Sequence, residues 1–97
     1  MGCQVILELR AAPGRAEDIR AWLKGVLHET RSFEGCVTLH AVQNQEDPDI
    51  IVLVEQWDTR QHYERYLAWR VARGDMAQFS GMMAGPPIIR FFDFFGI

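Results

Sequence analysis

Apolar residues in the first third of the chain repeat first with the period of a strand and then with that of a helix. Residues 3–10 alternate apolar with mostly polar positions, which is typical of a β-strand with one strongly apolar face. Residues 11–14, Ala-Ala-Pro-Gly, end this strand because proline and glycine favour turns. From Arg15 to about Gly35 the apolar spacing becomes three and four residues, which predicts an amphipathic helix.

The remaining pattern predicts three more strands and two more helices. The strands are expected over residues 36–43, 50–57 and 88–95, with a hairpin turn over 44–49. The helices are expected from a cap at Asp58 or Thr59 to about Arg73, and over 75–83. The order β-α-β-β-α-(α)-β predicts one α+β domain over residues 1–97, the ferredoxin-like split βαβ arrangement, with an antiparallel sheet that carries its helices on one face.

Two of the predicted strands are apolar on both faces. Residues 50–54 are all aliphatic, and residues 88–95 contain four phenylalanines and two isoleucines. Helices on one face would leave a large apolar surface on the other, which marks an interface in a soluble protein. We therefore expect a homodimer through the helix-free sheet face. Either of two pairs in the last strand could meet the partner, Phe92 and Phe94 or Phe91 and Phe95.

Four short segments carry a family resemblance. They are Pro13-Gly14, Phe33-Glu34-Gly35-Cys36, Glu46-Asp47-Pro48-Asp49 and Val54-Glu55-Gln56-Trp57-Asp58. Over about residues 3–70 the chain resembles the antibiotic biosynthesis monooxygenase family. The resemblance implies a dimeric α+β barrel, in which two ferredoxin-like sheets pack face to face and each subunit holds a ligand cavity between its sheet and its helices.

Members of this family include enzymes that oxidise phenols to quinones without a cofactor, haem-degrading enzymes, isomerases and proteins without a known activity. The resemblance implies a cofactor-independent monooxygenase-like enzyme that acts on a small planar phenolic or quinonoid substrate. Trp57 matches the tryptophan that lines the substrate cavity in quinone-forming members, and Tyr63 stands where those members place a tyrosine. These two side chains are the predicted catalytic residues.

The chain departs from the family's pattern at two places. The asparagine of quinone-forming members falls near Leu53, which cannot hydrogen-bond to a substrate, and around the position where many members have a histidine on the second helix this chain has Tyr66. Haem-degrading members also need an asparagine on the first strand, where only Gln4 offers an amide. Haem degradation is therefore disfavoured. The alternative function is a non-catalytic small-molecule-binding or stress-related protein with the same dimer and cavity.

The residue types leave two interpretations open for most candidates. Trp57 and Tyr63 are suited to stack on a planar aromatic ligand, but the same rings are suited to a small domain's core. Glu55 shares a strand face with Trp57. It is expected either to be buried with a raised pKa and to act as a base or, the favoured interpretation, to pair with an arginine at the sheet edge. His40 is a candidate ligand-binding residue if its strand face lines the cavity.

The second and third helices supply further candidates. Tyr66 belongs to a wide aromatic stripe with His62 and Trp69, and we expect it to contact a ligand, the partner subunit or the third helix. Phe79 lies among methionines that could form an adaptable apolar lid or pack flat against the barrel. Four arginines on the second helix are predicted to be solvated, namely Arg60, Arg65, Arg70 and Arg73.

Charge and composition exclude several other classes of protein. The chain has 10 basic against 13 acidic residues, a net charge of −3, so it lacks the cationic patch of a nucleic-acid binder. The apolar run over residues 50–54 is far shorter than the ~20 residues that span a membrane. The first residues do not resemble a signal peptide. A cytoplasmic protein without nucleic-acid or membrane partners is the default expectation.

The cysteines and histidines predict neither a metal site nor a cofactor. Two cysteines are too few for a disulfide scaffold, and together with three histidines they lack the spacing of a zinc or haem site. We expect reduced thiols and a protein free of metal and cofactor. Cys36 and His40, taken to share one strand face, would lie ~13 Å apart, too far for a catalytic dyad.

Overall fold

The computed structural model describes residues 2–97, and its secondary structure follows the predicted order. The strands are β1 (Cys3–Arg10), β2 (Cys36–Gln43), β3 (Ile50–Trp57) and β4 (Ile88–Asp93). The helices are α1 (Ala16–Ser32), α2 (Arg60–Arg73) and α3 (Asp75–Ser80). Each strand is antiparallel to its neighbours in the order β2-β3-β1-β4. The predicted α+β ferredoxin-like arrangement is confirmed.

Alternation along each strand sends one row of side chains toward the helices. In β1 this row includes Val5 and Leu9, which are fully buried. Two clusters of buried side chains form the core between sheet and helices. The larger one joins β1 and β3 to α1 and α3, and it includes Leu9, Ile19, Leu23, Leu53, Phe79 and Met82. The smaller one lies against α2 and consists of Cys3, Val5, Trp57 and Tyr63.

Three elements end earlier than the periodicity predicts. Helix α1 stops at Ser32 because Phe33 is already extended, with ψ of 142°. Helix α3 stops at Ser80 rather than residue 83. Strand β4 stops at Asp93 because its neighbour β1 begins at Cys3, the residue paired with Asp93. Within residues 2–97, no helix is long and apolar enough to cross a membrane.

Thr59, one of the two predicted caps, begins α2. Its hydroxyl accepts a hydrogen bond from the His62 backbone N–H at 3.1 Å. This bond satisfies one of the amides that a helix N-terminus leaves without a partner.

A β-bulge in β2 corrects one expectation about this strand. The pairing with β3 shifts between Cys36 and Thr38, so that Leu39 lies opposite Glu55 and His40 opposite Val54. A bulge adds one residue to a strand and reverses the side-chain alternation after it. Cys36 therefore packs into the core with Leu39, while His40 belongs to the helix-free face. The sequence prediction that Cys36 and His40 share a face is wrong.

The helix-free face carries the apolar row expected from β3 and β4. Val52 and Val54 lie on it in β3, and Ile88 and Phe92 lie on it in β4, where they are 45% and 46% exposed. Phe91 points the other way and packs against the ring of Tyr63, with ring centroids 5.7 Å apart. Of the two phenylalanines in β4, the structure thus assigns Phe92 to the helix-free face. Phe94 and Phe95 lie beyond the end of the strand.

Replacing Gly35 by alanine should destabilise the protein by about 1–3 kcal/mol. Gly35 connects α1 to β2 with φ of +93°, and an added Cβ would overlap the His62 ring. Gly25→Ala is the matched control, because Gly25 lies within α1 facing open space and should gain up to about 1 kcal/mol. Urea denaturation of both variants measures the difference. Equal midpoints would contradict the strain assigned to Gly35.

Candidate active site

The inner row of β3 brings one acidic side chain into the core. Ile51, Leu53, Glu55 and Trp57 all point toward the helices. Glu55 is only 2% exposed although it is the charged member of this row. Buried carboxylates normally have a cationic partner, because an isolated charge is poorly solvated inside a protein.

Glu55 has no such partner. Its Oε1 accepts a hydrogen bond from the Trp57 indole Nε1–H at 2.9 Å, and no ion pair involves it within residues 2–97. Burial raises the pKa of Glu55 from its ordinary 4.5 to about 7, although the indole hydrogen bond opposes the rise. The favoured sequence interpretation, an ion pair with an arginine, is wrong. The burial of Glu55, which the other interpretation expects, is confirmed, and its role as a base stays a prediction.

The second carboxylate oxygen of Glu55, Oε2, differs from Oε1 in its hydrogen bonding. It takes part in no side-chain hydrogen bond of the described residues. Among those residues, no fully buried side-chain nitrogen or oxygen lacks a partner, so Oε2 must keep some access to open space. Glu55 is also one of the residues that line the adjacent cavity.

That cavity lies between the sheet and the helices and has a volume of about 60 Å³. It brings together four of the six predicted site residues, namely Glu55, Tyr63, Tyr66 and Phe79. Aliphatic side chains from all four strands and from α1 and α2 form most of the remaining wall, which also includes Arg70. The space is much smaller than the ~300–1,000 Å³ of typical ligand pockets.

The other two predicted site residues do not line this cavity. Trp57 is fully buried behind Glu55, with its ring 5.2 Å from that of Tyr66 and 5.6 Å from that of Tyr63. Trp57 contacts the Glu55 carboxylate through the hydrogen bond of its indole N–H. His40 is exposed on edge strand β2 and borders a separate surface groove of about 440 Å³ between β2 and α1.

Arg70 is a site residue that the sequence analysis missed. The prediction of a solvated arginine is wrong at this position, because its side chain is 1% exposed. It donates five hydrogen bonds of 2.9–3.0 Å, to Tyr66 Oη, Glu29 Oε1, Asp75 Oδ2, Thr30 Oγ1 and the Val26 carbonyl. The spacing along α2 could have indicated this burial, because Arg70 lies seven residues after Tyr63 and therefore on the same inward face of the helix.

Tyr66 is held by the same network. Its phenol oxygen accepts from Arg70 Nε at 2.9 Å and shares a hydrogen with the Thr30 hydroxyl at 2.7 Å. Burial raises the pKa of Tyr66, against the opposing effect of Arg70, and burial also raises the pKa of Tyr63. Both phenols therefore remain protonated near neutral pH. Of the titratable side chains lining the cavity, Glu55 is the one with a pKa near 7.

The cysteines do not offer a reactive thiol. Cys3 and Cys36 are both free, and they face Trp57 from the two strands on either side of β3. Burial, together with the charge of Glu55, raises the pKa of Cys36 to about 11, which disfavours the nucleophilic thiolate. Within residues 2–97, no three His, Cys, Asp or Glu side chains are grouped so that they could hold a metal ion. The absence of a bound metal stays a prediction.

Fold and cavity define the class of this protein as a ferredoxin-like α+β domain with an acidic group inside an aromatic-walled cavity. The family model described as antibiotic biosynthesis monooxygenase matches residues 4–73. The chain belongs to the antibiotic biosynthesis monooxygenase family. No curated protein matches it.

Solved structures share the fold at low sequence identity. A conserved protein from Methanosarcina mazei Go1 superposes with a TM-score of 0.84 at 17% identity, covering 95% of this chain and 91% of its own. A structure described as an antibiotic biosynthesis monooxygenase gives 0.83 at 16%, covering 95% and 97%. A protein of unknown function from Nitrosomonas europaea gives 0.83 at 17%, covering 99% and 91%. These similarities establish the fold.

Glu55 should make the protein less stable as the pH rises from about 4.5 to 7. Below this range both folded and unfolded states hold the proton, and within it the unfolded state releases the proton first. The loss should reach about 3 kcal/mol above pH 7, and Glu55→Gln should abolish it. The window excludes Glu29, whose pKa is lowered to about 2 by hydrogen bonds from Arg70 and Arg73 and which therefore acts at lower pH.

Urea unfolding of the wild type and Glu55→Gln at about pH 5 and pH 8 measures this effect. Taking the difference between the two proteins isolates the contribution of Glu55. The same pH dependence in both would show that Glu55 ionises normally in the folded state.

Proposed function

We propose that this protein is a cofactor-independent monooxygenase that acts on a small planar phenolic or quinonoid substrate within its intrasubunit cavity. The observation that carries the proposal is the buried Glu55 carboxyl, which has a pKa of about 7 and one free oxygen. A base poised near neutral pH is suited to take a proton from an acidic carbon or phenol. Membership of the monooxygenase family supports the same reaction class.

The proposed reaction requires one base and the exclusion of water. Glu55 removes a proton from the substrate, and the resulting carbanion transfers an electron to molecular oxygen. The two radicals combine to form a carbon–oxygen bond, Glu55 returns its proton to the resulting peroxide anion, and the hydroperoxide then loses water. One oxygen atom remains in the quinone and the other leaves as water, so an anthrone, C14H10O, and O₂ give anthraquinone, C14H8O2, and H₂O.

The surrounding residues would serve this reaction in distinct ways. Tyr63 and Tyr66 would face the flat substrate and, as protonated phenols, could donate a hydrogen bond to an oxygen on it. Trp57 would orient Glu55 by its indole N–H at 2.9 Å. The apolar walls would keep water from the carbanion and the peroxide.

A second function is favoured by Leu53. Leu53 lies two residues before Glu55, on the same inner row of β3, and lines the cavity with an aliphatic side chain. The family's quinone-forming members have an amide side chain near this position. A cavity without that amide is suited to bind an aromatic molecule without transforming it. A non-catalytic small-molecule-binding protein is therefore the alternative.

Quinone absorbance during incubation with anthrone under oxygen separates the two functions. We expect turnover above buffer, and Glu55→Gln should lower it by about 10²–10⁴-fold. Glu64→Gln is the matched control, because Glu64 is an exposed residue of α2 that pairs with Arg60, and it should leave the rate unchanged. Binding of anthrone without any rate above buffer would favour the non-catalytic alternative.

We further propose that the protein works as a homodimer through the helix-free sheet face. A second copy is the occupant that the apolar row of β3 and β4 favours, because an isologous pair would bury the same row on both chains. Phe92 and Ile88, each nearly half exposed, would lie within it. Two such sheets packed face to face would form the barrel that the family resemblance implies.

Sedimentation equilibrium should give twice 11.2 kDa for the wild type. Phe92→Asp should yield a folded monomer, because a charge on this face opposes its burial. Val71→Asp is the control, since Val71 is likewise an exposed apolar residue, on α2 at 59% exposure, and should leave the dimer intact. A wild-type monomer at micromolar concentration would defeat the proposal.

A further inference from the structure

A second space lies directly outside the buried cavity. This outer groove has a volume of about 360 Å³. Its walls come from α3 and from the segment that follows it, and they are mainly apolar. The residues lining it are Met76, Phe79, Ser80, Met83, Ala84, Gly85, Pro86 and Pro87.

The outer groove and the buried cavity share part of their walls. Met76, Phe79 and Pro87 line both spaces. At these positions the partition is therefore no thicker than one layer of side chains. Moving Met76 and Phe79 would connect the two spaces without unfolding any element.

The backbone around the partition is anchored, so a change there would be confined to side chains. The segment after α3 is tied to β1 by the Ala12 N–H to the Met82 carbonyl at 3.0 Å and by the Ala84 N–H to the Arg10 carbonyl at 2.8 Å. Methionine has several rotatable bonds and repacks at low cost. Phe79 is held by stacking on Trp22, with ring centroids 4.7 Å apart.

We propose that the outer groove and the buried cavity are two halves of one elongated binding site, closed in the free protein by Met76 and Phe79. Together the two spaces reach the ~300–1,000 Å³ typical of ligand pockets, which the inner half alone does not. This inference rests on the proposed function, because it concerns the ligand of the same cavity.

The distribution of polar groups defines the class of ligand. Glu55, Tyr63 and Tyr66 all belong to the inner half, while the outer half offers methionine, phenylalanine and proline side chains. The site therefore fits a flat, fused-ring hydroxyaromatic compound with its ionisable end at Glu55 and its apolar body extending past Phe79. A single-ring phenol would occupy the inner half alone.

Ser80→Trp tests whether the outer half binds ligand. Ser80 is exposed and lines the outer groove but not the cavity, so an indole there should fill the groove without disturbing the core. Gln78→Trp, an exposed position on α3 that lines neither space, is the control. Circular dichroism and urea unfolding establish that both variants fold.

Binding of anthrone and of phenol is measured under argon by quenching of tryptophan fluorescence, so that no turnover takes place. Ser80→Trp should raise the Kd of anthrone at least tenfold and that of phenol less than twofold, while Gln78→Trp should change neither. Met76→Ala should speed anthrone association in stopped flow. An unchanged anthrone Kd in Ser80→Trp, or no anthrone binding by the wild type, would overturn the two-part site. Binding as predicted without quinone formation under oxygen would refute only the catalytic proposal.

Discussion

The position of β3 between β2 and β1 is the constraint on which the rest of this structure depends. Its backbone is paired on both sides, and its side chains point alternately to the two faces of the sheet. The inner row of side chains is apolar apart from Glu55 and is covered by α1, α2 and α3. The outer row, with Val52 and Val54, has no cover within residues 2–97. Strand β3 thereby contributes residues to the core, the acidic group Glu55 and part of the candidate dimer interface.

The protein accommodates its two most deeply buried charged side chains in opposite ways. Arg70 donates five hydrogen bonds and has carboxylates on either side, Glu29 at 2.9 Å and Asp75 at 3.0 Å. It therefore stays ionised and ties the end of α2 to α1 and to the start of α3. Glu55 receives one indole hydrogen bond and holds its proton until about neutral pH. A fully paired charge is suited to stabilise a fold, whereas an underpaired one is suited to chemistry.

The two groups meet through Tyr66. Arg70 and Thr30 fix its phenol oxygen, while its ring contacts Trp57, which in turn holds Glu55. The polar wall of the cavity is thus the one toward α2, where hydrogen bonds hold Tyr66 and Arg70. The opposite wall, at α3, consists of apolar side chains, with Phe79 stacked on Trp22 and Met76 as its flexible member. This asymmetry places the apolar part of the site away from the proton-transferring group.

The sequence by itself determined the order of the elements, which residues of β1, β3 and β4 share a sheet face, and the family, whereas the structure decided which face of β4 meets the helices. Period and turn residues are local properties, and they survive folding because the core accepts one apolar face from each element. Element ends were less predictable. Strand β4 is shortened by the length of β1, and the bulge in β2 depends on pairing with β3, so neither is encoded in its own segment.

Only the tertiary structure decided the electrostatics of the site. Glu55 and Arg70 are both charged residues at positions that periodicity turns inward, yet one ends without a cation and the other with two carboxylates. The carboxylate partners of Arg70 come from α1 and α3, up to 41 residues away, and the local pattern of α2 does not indicate them. Glu55 lacks a cation because Arg70, which lines the same cavity, is bound to Glu29, Asp75 and other partners, and the remaining helix side chains there are aromatic or aliphatic. The position of a residue in the periodic pattern determines which way its side chain points. The pKa of that side chain depends on the groups that other helices and strands place next to it.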